Sequence, residues 1–197
     1  MVRTLLSAVA FFATLSTTAI LPVHAGQSAW EPLHPLLGAW KGESKGFGST
    51  ADVTHTWEMV LDGHFLRLQT KSVGRVRGPG SVHEDVGYAS HDTDRGGLVF
   101  RQFLTEGFVN TFDVAPAEDD PSTIVFAHRE SESSGGMRVQ MRIRFLSNDE
   151  YEMELDLAES GKEFVMCQQM KLRRTDARDG DAPAASKPPR TSNPGEN

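Results

Sequence analysis

The sequence predicts an all-β protein, an antiparallel up-and-down barrel of about ten strands with no substantial helix in the mature domain. Two observations predict it. After Leu36, apolar residues recur at every second position in run after run, and Gly, Asp, Asn and Ser punctuate the runs. So many short strands in one open sheet would also leave two long edges exposed, and closure removes them. A β-sandwich is the competing architecture.

The opening strand lies around Trp40, where the apolar run "LHPLLGAW" gives way to the small and charged residues of "KGESKGFG". In "VTHTWEMVL", Val53, His55, Trp57, Met59 and Leu61 share a face. Asp62-Gly63 is a hairpin signal, and "HFLRLQTKS" returns from it. "HEDVGYAS", "GLVFRQFL", "GFVNTFDV" and "TIVFAHRES" follow, with tight turns at Asp92 to Gly97 and Glu106-Gly107. In "MRVQMRIRFL", Met137, Val139, Met141, Ile143 and Phe145 oppose Arg138, Gln140, Arg142 and Arg144. In "EYEMELDLA", Tyr151, Met153, Leu155 and Leu157 oppose Glu150, Glu152, Glu154 and Asp156. Antiparallel pairing of these two sets an Arg row beside a Glu row, each cross-strand pair contributing about 0.2–1 kcal/mol. The last strand, "EFVMCQQMKLRR", is expected to put Met166, Gln168 and Met170 on the face of Leu172, with Cys167 on the other.

The ends differ from this pattern. Residues 1–25 have the build of a secretory signal peptide: Arg3, an apolar stretch from Leu5 to Val23, and the small-x-Ala pattern of Val23-His24-Ala25. Cleavage there would leave no membrane segment and an exported chain, periplasmic or secreted. Residues 26–35 read as a linker and 36–174 as the barrel. Residues 175–197 carry almost no large apolar side chains and read as a disordered tail.

Composition narrows the function. The chain has 197 residues and a formal charge of −7, with no cluster of Lys and Arg, so no nucleic-acid surface is expected. With a single cysteine, Cys167, the domain has no internal disulfide and relies on its core. "GESKG" matches the Gly-x-Ser-x-Gly elbow in letters only, because no helical period follows Ser44.

Gly38-Ala39-Trp40 resembles the Gly-x-Trp signature of calycin barrels, the lipocalin and fatty-acid-binding-protein superfamily. "LLGAWKGESKG", "VLDGHFLRL", "DVGYASHD" and "GKEFVMCQQMKLRR" resemble an uncharacterised family of bacterial secreted single-barrel proteins, distantly similar to nitrobindin-like haem-binding barrels. The nitrobindin resemblance implies haem held by a last-strand histidine and peroxynitrite isomerisation. The sequence departs from that pattern: "GESKGFGST" keeps Thr50 without the Tyr-Pro before it, and "FVMCQQMKLRR" has no histidine. No cofactor is therefore expected, with haem as the alternative.

An interior of this size must be filled by side chains or by something bound. The expected occupant is a small hydrophobic molecule, held without chemical change. Trp40, Trp57, Tyr88, Phe100 and Met170 are the candidate apolar lining, and His55, His128 and Gln168 the polar anchors. Gln102 and Asn110 share faces with apolar neighbours, as pocket amides do. His64 is a third histidine expected inside, but the histidines lack the spacing of a metal motif, so no metal site is expected. Glu84, expected to point inward beside Val86 and Tyr88, is the one catalytic candidate, as a general acid or base. The loop at 73–82 reads either as a lid whose Arg75 and Arg77 attract an anionic head, or as a mobile hairpin end. The remaining alternatives are a cofactor-free isomerase or hydrolase, and a filled barrel acting as an envelope interaction module.

Overall fold

The computed structural model describes residues 29–75 and 79–175. The expected signal peptide, part of the linker, nearly all of the tail, and Arg77 lie outside the described residues. Ten strands form one closed antiparallel barrel, each paired with its neighbours in sequence and β1 with β10. They are β1 (Gly38–Gly46), β2 (Ser49–Val60), β3 (Phe65–Gly74), β4 (Val82–Asp92) and β5 (Gly97–Leu104). The second half is β6 (Val109–Pro116), β7 (Thr123–Glu132), β8 (Arg138–Ser147), β9 (Glu150–Ala158) and β10 (Val165–Arg174). Among the described residues no helix is long and apolar enough to cross a membrane.

The β8–β9 hairpin forms as the alternation requires. Arg142 pairs with Glu154 and Arg144 with Glu152 across the ladder, and Arg142 also reaches Asp156 at 3.0 Å. The turn at Asp62-Gly63 forms too, with Leu61, Asp62 and Gly63 all at positive φ. His64 belongs to this turn and is exposed, which corrects its expected place inside.

Closure explains the glycines of "GESKG". A Cβ on Gly42 would lie 1.9 Å from the Lys171 carbonyl oxygen, and one on Gly46 2.5 Å from that of Cys167. Both positions must be bare for β10 to reach β1. Ser44 between them is a buried strand residue, not a nucleophile on an elbow.

Part of the segment expected as a linker is a plug. Glu31–Leu36 form a short 3-10 helix whose Leu33 and Leu36 are buried in the core. The Trp40 indole donates to the Leu36 carbonyl at 2.7 Å. The Arg174 guanidinium lies 4.2 Å from the Trp40 ring and donates to the carbonyls of Pro35 and Leu37. One end of the barrel is thereby stopped from the sequence just before β1.

Candidate functional site

The barrel interior has two unlike halves. Behind the plug, aromatic side chains fill the lumen. Trp40 packs on Tyr151 with ring centroids 4.6 Å apart, and Phe100 lies 6.0 Å from Trp57 and 5.4 Å from Phe126. Gly87 on β4 makes room for Phe100, since a Cβ there would lie 2.0 Å from the ring. This half is a packed floor.

The other half is a cavity of about 670 Å³. It opens between the turns that join β1 to β2, β3 to β4, β5 to β6 and β7 to β8, and Phe47, Val82 and Phe108 form an apolar rim. Its walls differ in chemistry. Val139 on β8, Met153, Leu155 and Leu157 on β9 and Met170 on β10 make one side apolar. Across the lumen, His55 on β2 pairs in register with Thr70 on β3, and Thr70 with Asp85 on β4. These three polar side chains enter the cavity side by side.

All three are buried: His55 is 1% exposed, Thr70 6%, and the Asp85 side chain 5%. A buried polar atom without a partner is destabilising unless something meets it. Yet His55 Nε2 and Thr70 Oγ1 have no partner among the described residues. Asp85 is better served. It accepts from Gln102 Nε2 at 3.0 Å and faces His83 Nε2 at 3.5 Å, while His83 Nδ1 donates to Glu106 at 2.8 Å. The hydrogen bond to Asp85, supported by Glu106, pushes the His83 imidazole up to about 9 against the effect of burial. His83 is therefore a cation at neutral pH, held between two carboxylates.

Burial acts the other way on His55, lowering it to about 4 although Asp85 nearby opposes the shift. Its ring is neutral. Nδ1 lies 2.7 Å from the Tyr151 hydroxyl, which burial keeps protonated. The Trp57 indole N–H faces the same phenol oxygen, outside strict hydrogen-bond geometry. Nδ1 is the one acceptor beside that hydroxyl among the described residues, so the phenol proton goes to Nδ1 and Nε2 is left to carry the imidazole proton.

The residues chosen from the sequence divide by position. His55, Gln168 and Met170 line the cavity, as do Gln102 and Asn110. Trp40, Trp57 and Phe100 lie in the packed floor and do not line it. His128 sits one relay away: its Nε2 is 3.2 Å from Ser131 Oγ, which donates to Asn110. Two expected orientations are corrected. Tyr88 and Glu84 point outward, Tyr88 toward Arg67 and Glu84 into an exposed pair with Lys71 at 3.2 Å. The cause is the phase of β4: Gly87 and Ala89 are its inward residues because Phe100 fills the space before them, so the bulky Val86 and Tyr88 go outside. That phase also brings in Asp85 and His83, which alternate with Glu84 along the strand. Met166 is exposed as well, because a bulge between Met166 and Gln168 reverses the facing of β10. Arg75 pairs with Glu43 and Asp52 on the outer surface and does not reach the lumen.

Among the described residues no three His, Cys, Asp or Glu side chains are grouped to hold a metal ion. β10 carries no histidine, and the side chains it turns to the cavity are Gln168 and Met170.

The closed ten-strand barrel is a calycin-like fold. No protein-family model matches the chain, and no curated protein matches it. Solved structures do. The chain is similar to Rv2717c from M. tuberculosis, at 16% identity and a TM-score of 0.57, over 76% of this chain and 99% of that one. It is also similar to the S-type phycobiliprotein lyase CPES from Guillardia theta, at 13% identity and a TM-score of 0.50, over 77% of this chain and 95% of that one. At such identities the likeness is one of fold alone.

Proposed function

We propose that this barrel is an exported binding module that holds a small, mainly apolar molecule in its lumen without changing it and without a cofactor. The observation that carries the reading is the cavity itself. Its volume, about 670 Å³, falls in the range of ligand pockets, roughly 300–1,000 Å³. It also combines an apolar wall with a few buried polar groups, two of them unpartnered among the described residues. A barrel that served only as a filled scaffold would gain by placing apolar side chains at His55 and Thr70. His55, Gln168 and Met170 are the ligand contacts in this reading. Trp40, Trp57 and Phe100 support the floor beneath the ligand, and His128 steadies Asn110 from outside. Glu84, exposed and paired with Lys71, does not face the lumen and takes no part in this reading. A phycobiliprotein lyase with a barrel of similar fold is compatible with a lumen put to use. Export rests on residues 1–25 alone.

Native mass spectrometry of the protein recovered from an exporting host tests the proposal in one experiment. The expected result is a chain cut after Ala25 that carries a reproducible small organic mass. Ligand added at a hundred times its Kd should then stabilise the fold by about 2.7 kcal/mol. A haem mass with a Soret band would overturn the cofactor-free reading. A bare mass, unchanged by lipid extract and with no rise in melting temperature, would overturn the carrier reading.

A further inference from the structure

We infer that the lumen selects an amphiphile whose neutral head sets a hydrogen-bond donor beside an acceptor, as an amide does, and discriminates against the matching carboxylate. The inference rests on the binding reading above and specifies its ligand. The first support is the row His55, Thr70, Asp85 on three neighbouring strands. At one end, His55 Nε2 offers a proton to an incoming oxygen. At the other, the Asp85 carboxylate keeps acceptor capacity after its contacts with Gln102 and His83, since an ionised carboxylate has about four lone-pair sites. Thr70 Oγ1 between them can donate or accept, and it is unpartnered among the described residues. A head with a carbonyl oxygen next to an N–H satisfies the row from end to end. Its apolar body then meets Val139, Met153, Leu155 and Leu157 across the lumen.

The second support is the distribution of charge. Among the described residues no Lys or Arg lines the cavity. Its one cation, His83, is already shared by Asp85 and Glu106, so this group of three carries a net negative charge. His55 is neutral and adds nothing to balance it. A carboxylate head in the row would sit beside Asp85 with no free cation to offset the repulsion, in a site where water screens poorly. An amide head brings no charge to be balanced.

The test uses the full chain at pH 8, with 1-aminoanthracene as a neutral fluorescent occupant and decanamide and decanoate as competitors of equal chain length. Decanamide should displace the probe at a concentration at least about tenfold below that needed for decanoate. Asp85→Asn should narrow the gap, chiefly by admitting decanoate. Thr70→Val should weaken decanamide by a larger factor than it weakens the probe. Equal displacement by the two competitors, or a preference for decanoate, overturns the inference while the binding reading stands. If the probe neither brightens nor is displaced, the binding reading fails and takes the inference with it.

Discussion

Replacing Gly87 with alanine adds one methyl group at the point where β4 faces the aromatic floor. That Cβ would lie 2.0 Å from Phe100 Cζ and 2.4 Å from Cε2, far inside the contact distance of about 3.5–4 Å between carbon atoms. The ring has little room to retreat, since Phe126 lies 5.4 Å away by centroids, Trp57 6.0 Å and Phe112 6.1 Å. Overpacking of this kind costs about 1–3 kcal/mol. For a domain of this size the loss lowers the melting temperature by roughly 3–10 °C, read by circular dichroism at 218 nm. The same change in a Phe100→Leu background should cost less than half as much, because the clash is with the ring itself. An unchanged melting temperature, or an equal loss in both backgrounds, would refute the reasoning. It would mean that Gly87 does not face Phe100, and a one-residue shift of β4 would turn Asp85 out and Glu84 in.

Two further predictions concern other parts of the lumen. Burial lowers the folded-state pKa of His55 from 6.5 to about 4, so between these values the unfolded chain binds a proton that the folded one refuses. The stabilisation is complete above pH 6.5 and declines as pH falls toward 4, by about 3 kcal/mol at the limit. Urea unfolding from pH 7 to 4 should show His55→Gln losing less stability than the wild type, and parallel curves would count against a neutral, buried imidazole. Arg174→Met removes the guanidinium from over Trp40 together with its bonds to Pro35, Leu37 and Asn148. It should cost about 1–3 kcal/mol and red-shift the tryptophan emission as the plug loosens, so an unaltered urea midpoint would show that the clamp is not what holds it.

The barrel was legible in the sequence because period-two alternation is a local signal and closure follows from strand number. The β8–β9 hairpin shows this well: its Arg and Glu rows lie at fixed spacing, and the structure pairs them across the ladder. The plug was not legible. "EPLHPL" carries two prolines and no strand period, and only its burial against Trp40 and Arg174 shows that Leu33 and Leu36 belong to the core. The bulge beyond Met166 was equally hidden, because one unpaired residue leaves no mark in composition.

The site was half legible for a reason that lies in how a barrel is packed. Large apolar side chains mark the inward face wherever facing strands have space for them, so His55, Gln102, Gln168 and Met170 were found by the company they keep. On β4 that guide reverses. Phe100 already occupies the lumen there, and the strand that faces it must be small inside, Gly87 and Ala89, and bulky outside, Val86 and Tyr88. The true signal in "HEDVGYAS" was therefore the alternation of small residues, which says where a neighbour's ring goes. Following it puts Asp85 in line with Thr70 and His55, and so decides the chemistry of the wall. The aromatic residues that looked most like ligand contacts, Trp40, Trp57 and Phe100, have a different task. By filling one half of the barrel they raise its floor to His55, and a tube of ten strands becomes a cup with a polar row at its base.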